Sequence, residues 1–426
     1  MQTKLSPEFK NSPDGKDAES ILRSCVHCGF CNATCPTYQI LGDELDGPRG
    51  RIYLIKEMLE GGAVGRSTQQ HLDRCLTCLN CETTCPSGVR YGKLVAIGRA
   101  LVEQRVARPW KEKFLRWLLK EGLTSSFFAP MIKLATHARR LVPGALRKHI
   151  PRPAIPAAAA WPTRRHQRQV LLLAGCVQPA LLPNINRATA RVLDACGIET
   201  LIADGAGCCG ALRDHLSDHA GGLGDARRNI DAWWPLVAAG TVDAIIMNAS
   251  ACGLAVKHYG DALAGDSAYS EKAARVSALA RDLSELLPVI APSLKGKLRT
   301  PIGRIVFHAP CTLQHGQGLR GGVEAHLAAL GFDMQPAARE SHLCCGSAGT
   351  YSVLQPILAR ELRDRKLANL AATHPQTIAS ANVGCIQHMQ SGTELPVRHW
   401  VELLDEALQE PGLTGGLIRS SDVGVD

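Results

Sequence analysis

The chain has 426 residues, 45% apolar and 20% charged, a globular rather than disordered composition, enough for roughly two to four domains. No run approaches the roughly eighteen consecutive apolar residues of a membrane span, and residues 1–16 are polar, without a secretory apolar core. Seventeen cysteines in a chain without a visible export signal are expected in a reducing, cytoplasmic setting, where thiols serve metal or redox chemistry rather than disulfides.

In chain order, residues 1–20 read as a flexible or docking tail. Residues 21–100 hold two cysteine clusters joined by helical stretches such as 49–59. Cys25, Cys28, Cys31 and Cys35 precede Pro36, and Cys75, Cys78, Cys81 and Cys85 precede Pro86. Both runs obey C-x2-C-x2-C-x3-C-P, with corresponding cysteines 50 residues apart. Two intervening residues let the chain wind around a cubane so that three thiolates converge on it, while the fourth cysteine turns away to ligate the other cluster. One [4Fe–4S] cluster is thus expected on Cys25, Cys28, Cys31 and Cys85, and a second on Cys75, Cys78, Cys81 and Cys35. Each proline removes an N–H and turns the chain aside after the last ligand. Zinc ribbons use two C-x2-C pairs, not triplets with a trailing Cys-Pro. Two neighbouring cubanes without an open iron make an electron conduit rather than a substrate site. Arg23, Arg49, Arg51, Arg74 and Arg90 supply cationic surroundings that could raise the cluster potentials, and His27 lies inside the first run, where it would tune or shield.

Residues 101–165 form a basic connector. The stretch 101–170 holds 15 Lys/Arg against 3 Asp/Glu, while the whole chain has a surplus of 9, so the remainder is slightly acidic. Pro109 suits a helix start. Trp110, Phe114, Trp117 and Leu118 then recur on one helical face. A basic helix with large aromatics on its apolar face has the composition of an interfacial membrane helix; the plainer alternative packs that face on its own protein or a partner subunit. Aromatic-interleaved nucleic-acid motifs are absent, so no nucleic-acid partner is expected. The proline- and alanine-rich run 151–162 reads as a linker.

Beyond it, 169–174 and 241–248 read as buried strands and 186–195 as a helix, an alternation that favours α/β domains with parallel sheets. The cysteines repeat: Cys176, Cys208, Cys209 and Cys252 recur as Cys311, Cys344, Cys345 and Cys385 at offsets of 133–136 residues. Residues 166–300 and 301–426 are accordingly read as a tandem duplication. Each set would meet at the carboxyl edge of a parallel sheet, where four thiols could hold a further iron–sulfur centre or a zinc ion, act as a dithiol, or be inert. Cys196 has no counterpart and is expected to be a core or helix-end cysteine. Gly205, Gly207 and Gly210 formally match G-x-G-x-x-G, but the second repeat lacks the pattern and it does not follow the first strand, which argues against nucleotide binding. His215, His308, His315 and His342 lie near the thiols in sequence as ligands, proton carriers or surface residues. The fold class expected is α+β multidomain: a mainly helical ferredoxin-type two-cluster domain, then two tandem α/β cysteine-rich (CCG) domains with parallel sheets.

These motifs resemble the iron–sulfur subunits of glycolate oxidase (glycolate dehydrogenase), most closely over residues 25–51 and 76–89, with the same layout along nearly the whole chain. Similar layouts occur in the third subunit of anaerobic glycerol-3-phosphate dehydrogenase and in lactate-utilisation proteins, and the CCG repeats are similar to those of heterodisulfide reductase subunits, where they bind unusual iron–sulfur clusters. The resemblance implies a non-flavin subunit of an oxidoreductase in glycolate catabolism. A partner subunit's FAD would oxidise glycolate to glyoxylate, and electrons would pass through the two clusters to an acceptor, quinone, at the cytoplasmic face of the inner membrane. It leaves open a related glycerol-3-phosphate or lactate dehydrogenase and a heterodisulfide-reductase-like thiol catalyst. The fuller CCG pattern ends in C-x2-C; here Ala249 and Asn382 replace the first cysteine of that pair, so five-thiol ligation is impossible in either repeat.

Overall fold

The computed structural model describes residues 1–125, 127–138, 160–299 and 303–408. The expected linker at 151–162 lies mostly outside the described residues. Among them, no helix is long and apolar enough to cross a membrane.

Residues 1–20 are not the flexible tail that their polarity suggests. Pro7–Lys10 and Pro13–Ser24 are helices, each preceded by a serine N-cap, and the Ser12 hydroxyl accepts from the Gly15 amide at 3.0 Å. Ala18, Ile21 and Leu22 recur at helical spacing and are buried. Met1, Leu5 and Phe9 pack on the same core, and the terminal ammonium donates to the Cys25 carbonyl at 2.8 Å. A few apolar side chains in register outweigh the polar majority, which faces solvent.

That core is helical. Pro48–Leu59, Arg66–Asp73 and Tyr91–Arg105 bring together Ile52, Ile55, Met58, Leu72, Leu94, Val95 and Leu101 beneath the two cysteine runs. The connector continues as helices Trp110–Thr124 and Phe128–Ala138. Its aromatic face is left uncovered by the described residues: Trp110 is 73% exposed, and Phe114, Trp117, Leu118, Phe127, Met131 and Leu134 are exposed with it. Its inward side is tied down by ion pairs, Arg108 with Asp73 at 2.6 Å and Arg213 with Glu121 at 2.9 Å.

The remainder contains two four-stranded parallel sheets. The first orders its strands β2-β1-β3-β4, with β1 Arg168–Leu172, β2 Ile198–Leu201, β3 Ala244–Met247 and β4 Ala280–Asp282. The second repeats it as β6-β5-β7-β8, with β5 Arg304–His308, β6 Asp333–Gln335, β7 Thr377–Ser380 and β8 Val397–His399. Both faces of β1 are apolar, as a central strand covered by helices on two sides requires. Val170 and Leu172 enter one core cluster, and Leu171 and Leu173 the other. The first of these clusters crosses the seam, joining Val192, Leu287 and Ile290 to Ile305, Phe307, Trp400 and Leu404. Polar links reinforce it: Ser250 N–H donates to the Ala381 carbonyl at 3.0 Å, and His399 Nε2 donates to the Asn248 carbonyl at 2.8 Å.

Candidate functional site: two cysteine runs and a thiol-lined cavity

Each cysteine run is a loop capped by a short helix, Phe30–Ala33 in the first and Asn80–Thr84 in the second. The loops share a backbone device. His27 and Gly29 have φ of 56° and 83°, and Thr77 and Leu79, at the matching positions, have 51° and 60°. Left-handed residues between the thiols curl the chain so that successive cysteines face inward; three of these four are not glycine, a strain that clusters at functional loops.

Cys25, Cys28, Cys31 and Cys85 line one small cavity, together with Cys81. Cys35, Cys75, Cys78 and Cys81 line a second. All of these cysteines are free thiols. Among the described residues no three of them come within 4.8 Å of one another, so neither quartet is gathered around a single ion. Thiolate donors around a cradle wider than one ion fit an iron–sulfur cluster in donor chemistry and in spread.

The electrostatics differ between the cradles. Burial pushes the Cys31 thiol up to about 11, and it raises Cys78 and Cys81 further. Burial also opposes the Cys75 thiolate, but the Arg51 and Arg99 guanidinium groups outweigh it and hold Cys75 below the usual thiol range. Arg51 is buried with Asp46, which also takes Arg74 at 2.8 Å and His71 at 3.1 Å. Arg51 further donates to Thr37 Oγ1, itself 3.3 Å from Cys35 Sγ. Arg99 donates to the Cys75 carbonyl at 2.6 Å; sequence inspection missed it because it lies on a helix remote from either run.

The second cradle abuts the repeats. Leu76 is buried with Cys344, Tyr351, Leu358 and Leu362, and Cys78 and Cys311 pack on that cluster. Tyr351 donates to the Arg74 carbonyl at 3.1 Å. His215 of the first repeat donates to Thr77 Oγ1 at 3.2 Å, and Thr83 donates to His315 Nδ1 of the second at 2.9 Å.

Within the repeats every thiol of the CCG sets but two sits past the carboxyl end of a strand: Cys176 after β1, Cys208 and Cys209 after β2, Cys311 after β5, Cys344 and Cys345 after β6. The other two, Cys252 and Cys385, lie on helices Ser250–Lys257 and Val383–Gln390, whose N-caps are Ala249 and Asn382, where the fuller pattern has a cysteine. The two carboxyl edges face each other across a cavity of about 420 Å³, walled by all of these thiols except Cys345. The glycine of each CCG triplet is obligatory. Gly210 and Gly346 both have φ +87°, and an added Cβ would meet the Gly222 carbonyl oxygen at 2.6 Å or that of Ala359 at 2.5 Å. The G-x-G-x-x-G match therefore serves thiol positioning: Gly207 N–H donates to Asn229, and the stretch follows β2 rather than β1.

Hydrogen bonds from Cys176 and Cys209 hold Cys208 far below the usual thiol range, while the same bond to Cys208, with burial, raises Cys176. Burial and the Cys208 charge push the neighbouring Asp225 up to about 6. In the second repeat Cys311 Sγ donates to Cys344 Sγ at 3.9 Å, and the buried Lys366 ammonium lies nearby, donating to the Glu340 carbonyl at 2.6 Å. Asp225 and Lys366 gave no signal in the sequence beyond their helical positions. Cys196 caps the helix Asn184–Ala195, away from the cavity.

The fold and thiol sets define an iron–sulfur redox protein with two ferredoxin-type motifs followed by paired CCG domains. Residues 21–89 match the family described as 4Fe-4S dicluster domain, and residues 170–257 and 305–390 each match the cysteine-rich CCG domain. The chain is 51% identical to the glycolate oxidase iron–sulfur subunit of Escherichia coli (strain K12), over 96% of this chain and 100% of that one. It is 28% identical to the probable glycolate oxidase iron–sulfur subunit of Bacillus subtilis (strain 168), over 92% of each. A lactate utilization protein A 2 of Bacillus cereus is 23% identical over 57% of this chain and 100% of its own. The chain belongs to the family of glycolate oxidase iron–sulfur subunits.

Proposed function

We propose that this chain is the electron-transfer subunit of a glycolate dehydrogenase complex. Cys25, Cys28, Cys31 and Cys85 hold one [4Fe–4S] cluster, and Cys75, Cys78, Cys81 and Cys35 hold the second. When bound, such clusters relay electrons singly between a two-electron flavin donor and an acceptor. The donor is the FAD of a partner subunit oxidising glycolate to glyoxylate, and the acceptor is quinone. The observation that carries this reading is the series of sites. A cradle whose rim exposes Val26 and Phe30 shares Cys81 with a second cradle, which lies against Cys311 and Cys344. The chain's own groups set the two ends apart, since Arg51 and Arg99 place positive charge at the inner cradle, and added cationic charge favours the reduced state there.

The test is the complex carrying Cys28→Ser. We expect iron and acid-labile sulfide to fall from about eight of each towards about four, and quinone reduction to be lost while the flavin subunit still co-purifies and bleaches with glycolate. Anaerobically prepared wild-type chain containing zinc in place of iron would defeat the assignment.

The exposed Trp110, Phe114 and Trp117, with Lys111 and Lys113 alongside, support peripheral contact with the cytoplasmic face of the inner membrane. Flotation of the complex with anionic liposomes should drop severalfold in a Trp110→Ser/Trp117→Ser variant and at high salt; undiminished flotation would place the contact elsewhere.

A further inference from the structure

We propose that His308, Cys345 and Cys385 form a binding site for a single divalent ion of the zinc class, present in the second repeat alone. His308 closes β5 and is 1% exposed, and neither ring nitrogen has a hydrogen-bond partner among the described residues. Buried polar groups are nearly always paired, so a doubly orphaned imidazole calls for a ligand. Its ligand atom and the buried thiols of Cys345 and Cys385 lie within 4.8 Å of one another. Tetrahedral zinc, with bonds of about 2.3 Å to sulfur and about 2.0 Å to nitrogen, spaces its donors roughly 3.5–3.8 Å apart, so side-chain torsions close the remaining gap. The wider amino-terminal thiol quartets do not approach this spacing. Thiolate with imidazole selects borderline-soft zinc over hard oxygen-seeking cations.

The first repeat cannot build this site. Leu173 stands three residues before Cys176, as His308 stands three before Cys311. The only other such group among the described residues, Asp43 with Asp46 and His71, is accounted for, because Asp46 is already neutralised by Arg51 and Arg74. In the second repeat the three ligands come from β5, the CCG loop and the helix Val383–Gln390, so the ion staples three segments beside the cavity. Three protein donors leave one tetrahedral position over, the pattern of zinc sites that take an exogenous ligand. Cys385 itself lines the cavity. None of the eight amino-terminal thiols takes part, so the site stands or falls separately from the proposed electron-transfer role.

The experiment is metal analysis of the full chain, prepared anaerobically from zinc-replete cells, with iron, sulfide and zinc counted separately. We expect about one zinc per chain beside the iron. His308→Leu, which copies the first repeat, should lower zinc at least about tenfold and leave iron and sulfide unchanged. Cobalt(II) taken up by the zinc-stripped wild type should give thiolate-to-metal charge-transfer and tetrahedral ligand-field bands, absent in a Cys385→Ser chain. If His308→Leu misfolds, His308→Gln with an unchanged melting profile serves in its place. Wild type without zinc but with full iron, zinc retained in the His308 variant, or loss of iron and sulfide together with the zinc would each overturn the proposal.

Discussion

The two repeats share their backbone and differ in the polar groups around their thiols. Both order their strands alike, and both hold the CCG glycine left-handed against a helix carbonyl. In the first, Asp225 and Asn229 line the CCG loop, and Asn229 donates to the Cys208 carbonyl at 2.7 Å. In the second, Lys366 braces the segment before the loop and His308 replaces a leucine. Of the two, it is the second that presents thiols, Cys311 and Cys344, to the inner cradle of the amino-terminal region. Duplication has kept what the chain path demands and released what the chemistry uses, so sameness between the repeats reports on folding and difference on function.

The largest expected effect tests the sameness. Gly210→Ala and Gly346→Ala each force a Cβ into a left-handed residue and onto a carbonyl oxygen. Each should cost about 3 kcal/mol, combining the left-handed penalty with overpacking. Denaturant unfolding that showed a large loss in one and none in the other would break the equivalence.

A smaller effect tests the seam with the amino-terminal region. Thr77→Val leaves His215 without its hydroxyl partner, and Thr83→Val does the same to His315. Each should destabilise by about 1 kcal/mol, and a double variant with both losses adding would show that the two repeats are gripped independently.

The mildest test is pH. Burial holds both His215 and His315 near 4 in the folded chain, against 6.5 for the free side chain. The unfolded chain therefore binds more protons between these values, so the stability these rings support is full above about pH 6.5 and drains away as pH falls towards 4. Unfolding midpoints followed across that interval should flatten in His215→Gln and His315→Gln alike. A change in only one would assign the acid sensitivity to a single repeat.

The parts legible in sequence were those fixed by local spacing. The C-x2-C-x2-C-x3-C-P runs, the repeated CCG triplets and the apolar strands β1 and β3 each declare themselves within about ten residues. The parts that were not legible depend on tertiary burial. Arg51 is legible as part of the cationic surroundings, but Arg99 looks like any surface arginine until helix packing turns it onto Cys75. His308 reads as one of four histidines near the thiols, ligand or surface residue alike, until its surroundings strip it of partners. The aromatic face of 110–118 was recognisable as amphipathic, but periodicity does not say whether a face is covered; among the described residues it is bare. The order in residues 1–20 could have been seen: Ser6-Pro7 and Ser12-Pro13 are two helix-start signals that polarity obscured.

The apolar cluster running from Val170 through Ile290 to Phe307 and Trp400 has one more consequence. Because both sheets draw on this one oily mass, the duplicated half cannot part like a clamshell, and heating should melt it in one cooperative step rather than two. Splitting the polypeptide between the sheets would strip both pieces of the same covering, leaving neither half soluble by itself.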